Sequence, residues 1–463
     1  MPLDPPRAGI IAIRAEVGSI TNWDRCPLCS TPRSCVPFYA DLKRRPRCLQ
    51  FGNGRKVRDL IAHVVYVVES PLSHRDFDRF GIARLQARGL TVEVWDVHEI
   101  FLPRPGLPEV PLAGGVPIQV MHSLEEIVTA ASQLTDTTAV VLLSGAFLGN
   151  MSTHLPLMRA LMRSPATLGT VSAGQRPPMP GDDLRLGLLQ RQVLRVRHQA
   201  GALRRGETSP TRMVKRARQL IQARRFVRAQ DLGFRPLDYA WVGTDTAGIQ
   251  PVLLGPNTQV RFIHTHDYDL ILQSDLTSSQ DFGPIFLDTM GPLHPDFAVL
   301  EDLRAQMSVE QWFGIVTRAL TQVELHLGKR VTIAAHPRAS KGQLEPLYEQ
   351  REVLYGQTLE LIAGSSLVLT ASPTTSLGLV ASLERPLTIL RPSSLYARHL
   401  MELDEYARLL DAQVVSAEDV PNSWEPPPVP LSAYAMFVEH HMKRPGTPIE
   451  PFWDVVASDL LQE

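Results

Sequence analysis

The stretch Ala335-His336-Pro337-Arg338-Ala339-Ser340-Lys341 brings an imidazole, a guanidinium, a hydroxyl and an ammonium into one short loop. It follows Val331-Thr332-Ile333-Ala334, an apolar run that reads as a buried parallel strand. Pro337 ends that strand, because proline has no N–H to give to a ladder. An imidazole at the carboxyl end of a parallel strand stands where open α/β sheets bind ligands. A histidine that merely caps a sheet is the simpler reading, but Arg338, Ser340 and Lys341 add anion-binding groups beside it. Further on, Leu367-Val368-Leu369-Thr370 runs into Ala371-Ser372-Pro373-Thr374-Thr375-Ser376, a strand-to-helix turn crowded with hydroxyls. One hydroxyl suffices to cap a helix. Ser372, Thr374, Thr375 and Ser376 together, next to the unpaired N–H groups of a helix start, predict an anion site. The His336 loop and this turn are expected on neighbouring strands. Between them, Gly356-Gln357-Thr358-Leu359-Glu360 opens another helix, with Glu360 in reach of a ribose or sugar hydroxyl. The chemistry such a set offers is to hold a phosphate and stabilise it as it departs.

Transfer to a hydroxyl also needs a base, and three carboxylates are candidates. Asp288 ends the apolar strand Ile285-Phe286-Leu287. Asp267 and Asp269 lie in His264-Thr265-His266-Asp267-Tyr268-Asp269. Read as a strand, that segment puts His264 and His266 on one face, which is metal-ligand spacing. Its place at the join between two halves of the chain favours lining a cleft over holding a metal. A separate metal candidate is the N-terminal set Cys26, Cys29, Cys35 and Cys48. The first pair has C-x2-C spacing, but the second pair does not, so a structural zinc competes with incidental thiols in a reducing compartment. The sequence holds no G-x-x-x-x-G-K-[ST] phosphate loop, no strand-borne G-x-G-x-x-G and no G-x-S-x-G elbow.

These groups need a scaffold, and the chain is long enough to build one. It has 463 residues, 44% of them apolar and 21% charged, which predicts two or three globular domains and excludes general disorder. The formal net charge is −1, so a nucleic-acid polycation is not expected. No apolar run approaches the roughly 18 residues of a spanning helix, and no secretory signal is visible. The expected location is the cytoplasm, peripherally on the inner face of the cytoplasmic membrane. Residues 1–58 read as a proline-punctuated, cysteine-containing extension. From Ala62-His63-Val64-Val65-Tyr66-Val67-Val68 onward, apolar strands alternate with helical segments, the pattern of right-handed βαβ units and parallel sheets. The reading is α/β, with two facing Rossmann-like domains, 59–278 and 279–463, and a ligand cleft between them. Within the first, residues 185–235 carry 14 Lys/Arg against only Glu207 and Asp231. Such an excess suits contact with anionic lipid headgroups.

A strand-end His-Pro paired with a Ser/Thr-rich strand-helix turn resembles bacterial GT-B glycosyltransferases of the sialyltransferase and polysialyltransferase type. Segments such as Val68-Glu69-Ser70-Pro71-Leu72-Ser73-His74-Arg75-Asp76 are similar to proteins of surface-polysaccharide gene clusters. The resemblance implies a metal-independent enzyme in which His336, Pro337, Ser340, Lys341, Glu360, Ser372, Thr374, Thr375 and Ser376 hold the CMP of a CMP-sugar donor. The sugar would be a sialic, nonulosonic or Kdo-type acid, and the acceptor a cell-surface polysaccharide or a lipid-linked glycan. The family's acidic base motif before a glycine has no copy, since Asp182-Asp183 follows Gly181. The catalytic set is therefore His336 with Asp288, Asp267 and Asp269. Rival readings of the same architecture are a teichoic-acid-type glycerophosphotransferase and a UDP-sugar 2-epimerase. A rival of another class is a non-catalytic protein that binds membrane or nucleic acid. Because the sheet starts only at about Ala62, removing residues 1–55 should leave a soluble, cooperatively melting body. Loss of that cooperative melt would put the extension in the core.

Overall fold

The computed structural model describes residues 60–69, 74–101, 115–143, 151–174, 235–244, 253–276, 280–294, 308–395 and 397–462. The four cysteines and all of the basic segment except Arg235 lie outside the described residues. The first sheet has seven strands: β1 (His63–Val68), β2 (Thr91–Asp96), β3 (Ile118–Val120), β4 (Thr138–Leu142), β5 (Thr167–Ser172), β6 (Tyr239–Val242) and β7 (Gln259–Phe262). Their order is β3-β2-β1-β4-β5-β6-β7, and every pairing is parallel. The second sheet has six: β8 (Gly283–Leu287), β9 (Thr332–Ala334), β10 (Val353–Leu354), β11 (Ser365–Thr370), β12 (Leu387–Arg391) and β13 (Gln413–Ser416). Their order is β10-β9-β8-β11-β12-β13, again all parallel.

Counted from its own first strand, the second sheet runs 3-2-1-4-5-6, the doubly wound order of dinucleotide-binding folds. The first sheet has the same order with a seventh strand added after the sixth. The chain starts at the centre, winds to one edge, and returns to build the other side. The molecule is thus α/β with two Rossmann-like sheets. The central strands are covered on both faces and so read as unbroken apolar runs: Val64 to Val68 in β1 and Ile285 to Leu287 in β8 are all buried. In each sheet the winding reverses beside the first strand, at β1/β4 and at β8/β11.

Between β8 and β9 the chain crosses over through a long helix, Val309–Leu327. Ser308 and Gln311 close a capping box at its start, and Gly328, at φ 62°, ends it in the left-handed region. Trp312, Phe313, Val316, Leu320 and Val323 recur at helical spacing and bury its inner face in the second core.

Two features depart from the sequence reading. The segment after β7 is not a strand: α1 (His266–Gln273) is a helix, and the Thr265 hydroxyl caps it by accepting from Tyr268 N at 3.4 Å. Asp267 and Asp269 occupy its first turn, where carboxylates favour the helix dipole. These local capping signals outweigh the alternate spacing, so the strand face that would have paired His264 with His266 does not form. The second departure is α2 (Phe452–Leu461), which lies within the segment assigned to the second domain yet packs into the core of the first sheet. Trp453 stacks edge-on to Tyr66 at 5.5 Å and donates its indole N–H to Arg79 O at 2.8 Å. Asp459 accepts from the Trp241 indole at 2.9 Å, and Asp454 pairs with Arg84 at 3.1 Å. Gly81, at φ 57°, is required beneath Trp453, because a Cβ there would come within 2.3 Å of the indole. Removing a packed indole leaves a cavity costing about 3–5 kcal/mol. Trp453→Ala should lower unfolding free energy by that order in urea melts, whereas a loss below about 1 kcal/mol would make α2 a peripheral strap.

Candidate functional site

The ladder registers place three chain exits in one row. Leu287 of β8 lies beside Ala334 of β9 and beside Thr370 of β11. Parallel neighbours stand about 4.8 Å apart. Asp288, the Ala335-His336 pair and the Ala371-Ser372 pair therefore leave the sheet at one level, at its carboxyl edge. The row spans β8/β11, the place where open α/β sheets bind ligands. His336 and the hydroxyl turn are not on neighbouring strands as expected. The first strand of a doubly wound sheet sits at its centre, so β8 separates them and sets Asp288 between them.

Asp288 is buried, 5% exposed, and its oxygens are engaged. The Tyr348 hydroxyl donates to Oδ1 at 2.6 Å, and the His336 N–H approaches Oδ2 at 3.4 Å. Burial pushes the carboxyl pKa up, while the Tyr348 hydroxyl and the N–H groups of Met290, His336 and Thr289 pull it part of the way back. Tyr348 is itself pushed well above the usual phenol range, first by burial and then by the Asp288 charge. Behind it, Arg351 donates to Tyr348 O at 3.2 Å and forms a two-pronged pair with Glu324 at 2.9 and 3.0 Å.

His336 is half-buried, with its ring 4.9 Å from that of His294 in a T-shaped contact. Its Nδ1 accepts from Arg338 N at 3.2 Å, so in the neutral ring the hydrogen sits on Nε2 as a donor. Pro337, Arg338, Ser340 and Lys341 are exposed around it. In the hydroxyl turn, Thr370 donates to Ser372 O at 2.9 Å and Thr374 Oγ1 accepts from Ser376 N at 3.3 Å. Those two hydroxyls fold the turn. Ser372 is buried, Thr374 and Ser376 are half-buried, and Thr375 is exposed. Glu360 is exposed in the first turn of the helix Thr358–Ala363, which starts beyond the carboxyl end of β10.

Asp269 is in another setting. It pairs with His264 at 2.5 Å and accepts from Gln273 and from Phe452 N, both at 3.2 Å. These contacts tie α1 to the start of α2; Asp267, also buried, sits beside it in the same turn. Among the described residues, no three His, Cys, Asp or Glu side chains are grouped to hold a metal ion.

The sequence reading missed a second pair. Glu69, directly after β1, and His154, on the helix Met151–Arg163 that follows β4, bring Oε1 and Nε2 to 2.6 Å, with both side chains 4% exposed. The Phe101 ring stacks on the imidazole at 4.5 Å. The pair joins the two strands at the first sheet's winding reversal. Glu69 carries the same signal as His336, a titratable residue directly after an apolar run. Tyr348, Arg351 and Glu324 carried no comparable signal.

No protein-family model matches this chain, and no curated protein matches it. Solved structures similar to it share the fold level only. The calicheamicin glycosyltransferase CalG4 has TM-score 0.42 at 10% identity, covering 87% of this chain and 92% of its own. The UDP-GlcNAc 2-epimerase of Neisseria meningitidis has TM-score 0.40 at 12% identity, covering 87% and 100%. MurG of Acinetobacter baumannii has TM-score 0.38 at 12% identity, covering 86% and 99%.

The raised pKa of Asp288 has a consequence for stability. Above the ordinary carboxylate range the native state holds this proton and the unfolded chain does not. The contribution is full at acid pH and is lost as pH rises through the raised value. Asp288→Asn should therefore lose less stability than the parent as pH rises from the ordinary carboxylate range, about 4, through the raised value. Parallel urea melts at several pH values check this, and identical slopes for both proteins would contradict it.

Proposed function

We propose that this protein is a glycosyltransferase that moves a sugar from a nucleotide-activated donor to an acceptor hydroxyl. The observation that carries the reading is the row of exits at β8/β11, with an imidazole on one side and a hydroxyl turn on the other. When a nucleotide sugar reacts, the bond from the anomeric carbon to the phosphate oxygen breaks and negative charge grows on that phosphate. Donors fixed beforehand stabilise this charge without reorganising. The Nε2–H of His336, the hydroxyls of Thr375 and Ser376, and the cations Arg338 and Lys341 are such donors. Glu360 is assigned to the ribose. This cradle takes the charge without a metal ion.

The acceptor hydroxyl must lose its proton as it attacks the anomeric carbon. We assign the proton to the neutral His154 imidazole, with Glu69 stabilising the cation formed. A buried polar pair is costly to desolvate compared with an apolar pair of similar volume, which makes a chemical role the better account of its presence. The finer reading rests on the resemblance of the His-Pro and hydroxyl motifs. It takes a CMP-activated sialic, nonulosonic or Kdo-type acid as donor and a surface polysaccharide or lipid-linked glycan as acceptor. The enzyme would work in the cytoplasm against an anionic membrane, through residues 185–235.

A charge-assisted hydrogen bond contributes roughly 1.5–3 kcal/mol, and about 1.4 kcal/mol is a factor of ten. His336→Ala should weaken binding of the preferred nucleotide, chosen among CMP, CDP, UDP and GDP, about 10- to 100-fold. Thr375→Ala with Ser376→Ala should act likewise, and both should barely move the ligand-free melting temperature. His154→Ala should lower turnover and spare nucleotide affinity. Trials with a CMP-sugar, CDP-glycerol and a UDP-sugar identify the donor. Large losses of ligand-free stability with unchanged affinity would make these residues structural caps and end the transferase reading.

A further inference from the structure

The segment from Tyr348 to Arg351 is strained. Glu349 and Gln350 both lie in the left-handed region, at φ 51° and 62°, though neither is glycine. Such residues cost free energy and persist only where the surroundings over-determine them. Here both flanks are pinned. On one side the fully buried Tyr348 reaches Asp288 Oδ1 at 2.6 Å and packs edge-on against Phe313 at 5.3 Å. On the other side Arg351, also buried, grips Glu324 through two bonds and reaches Thr321 Oγ1 at 2.8 Å. Arg330 adds a bond to Glu349 O at 3.2 Å. The side chains of Glu349 and Gln350 are exposed, so core packing does not select their conformation.

What the strained turn achieves is the delivery of one phenol hydroxyl to one carboxylate. That carboxylate, on the central strand, accepts from the backbone N–H of His336. The next contact, Arg338 N to His336 Nδ1, fixes which ring nitrogen carries the hydrogen. The contacts form one line from Glu324 through Arg351, Tyr348 and Asp288 to His336. We propose that Tyr348 is a positioning residue: held by the strained turn 348–351, it fixes through Asp288 the loop that presents His336 Nε2–H to the donor's phosphate.

The role assigned to His336 rests on the transferase reading, but its ring orientation can be read without any ligand. The experiment compares ring-nitrogen NMR signals of His336 in the full chain at about pH 8, where an ordinary imidazole is neutral. CMP, CDP and UDP affinities are measured on the same proteins. The parent should show the Nε2–H form. Tyr348→Phe should mix the two ring forms and weaken nucleotide binding about tenfold. Tyr355→Phe, which removes a hydroxyl bonded to Glu345 outside this line, should do neither. Because Tyr348→Phe also leaves a buried carboxylate short of a donor, a backbone test stands beside it. Gln350→Gly accepts the left-handed conformation and should keep the His336 signals. Gln350→Val, exposed but hostile to that conformation, should mix them. Unchanged His336 signals in both Tyr348→Phe and Gln350→Val overturn the proposal. A parent in the single Nε2–H form that binds none of the nucleotides, with mixed signals in both variants, would uphold the brace and remove the transferase reading instead.

Discussion

The buried carboxylate of Asp288 is the point on which the second sheet's carboxyl edge depends. It stands on the central strand, where the doubly wound order brings the exits of three strands level. A carboxylate in that position is costly to desolvate, and it is tolerated because donors surround it. The Tyr348 hydroxyl comes from the loop beyond β9, and the N–H groups of Thr289, Met290 and His336 come from the exits themselves. One buried carboxyl group therefore orders the loops on either side of it. The same contacts occupy its lone pairs, which supports the proposal that Asp288 organises this edge.

The two sheets use one plan with different chemistry at its centre. At β8/β11 the groups are half-buried or exposed donors of hydrogen bonds and positive charge. At β1/β4 they are a buried Glu69 and His154 with Oε1 and Nε2 in contact at 2.6 Å. The proposed transfer asks for that division at its two ends. A departing phosphate asks for fixed donors, and an attacking hydroxyl asks for an acceptor of protons. The last helix, although late in the chain, returns to the first sheet and is bonded there through Trp453, Asp454 and Asp459. Asp269 binds the start of that helix through Phe452 N, so its burial is accounted for by architecture.

Much of this was legible in the sequence, and the exceptions share a cause. Strands such as Val64 to Val68 and Leu367 to Thr370 were readable because parallel strands buried on both faces are continuous apolar runs. His336 and the Ser372–Ser376 turn were readable because each directly follows such a run. The order of the strands was not, since pairing is non-local, and so the place of Asp288 between β9 and β11 went unseen. Asp267 and Asp269 misled because polar alternation imitates a strand, while the decisive signal, Thr265 as a helix cap, lies in one residue. Glu324, Arg351 and Tyr348 are far apart in the chain, and only the folded core brings them together. The return of residues 452–461 to the first sheet likewise rests on complementary surfaces that no local pattern records.

The central claim is that the carboxyl edge of the second sheet, organised by Asp288, is a phosphate site. The most direct measurement is a crystal structure of the full chain with whichever of CMP, CDP, UDP or GDP raises its melting temperature most. The account predicts a phosphate oxygen about 2.7–3.2 Å from His336 Nε2. It also predicts contacts from Thr375 or Ser376 to the same phosphate, with the ribose toward Glu360. A nucleotide bound away from β8, β9 and β11, with the His336 loop empty, would contradict it.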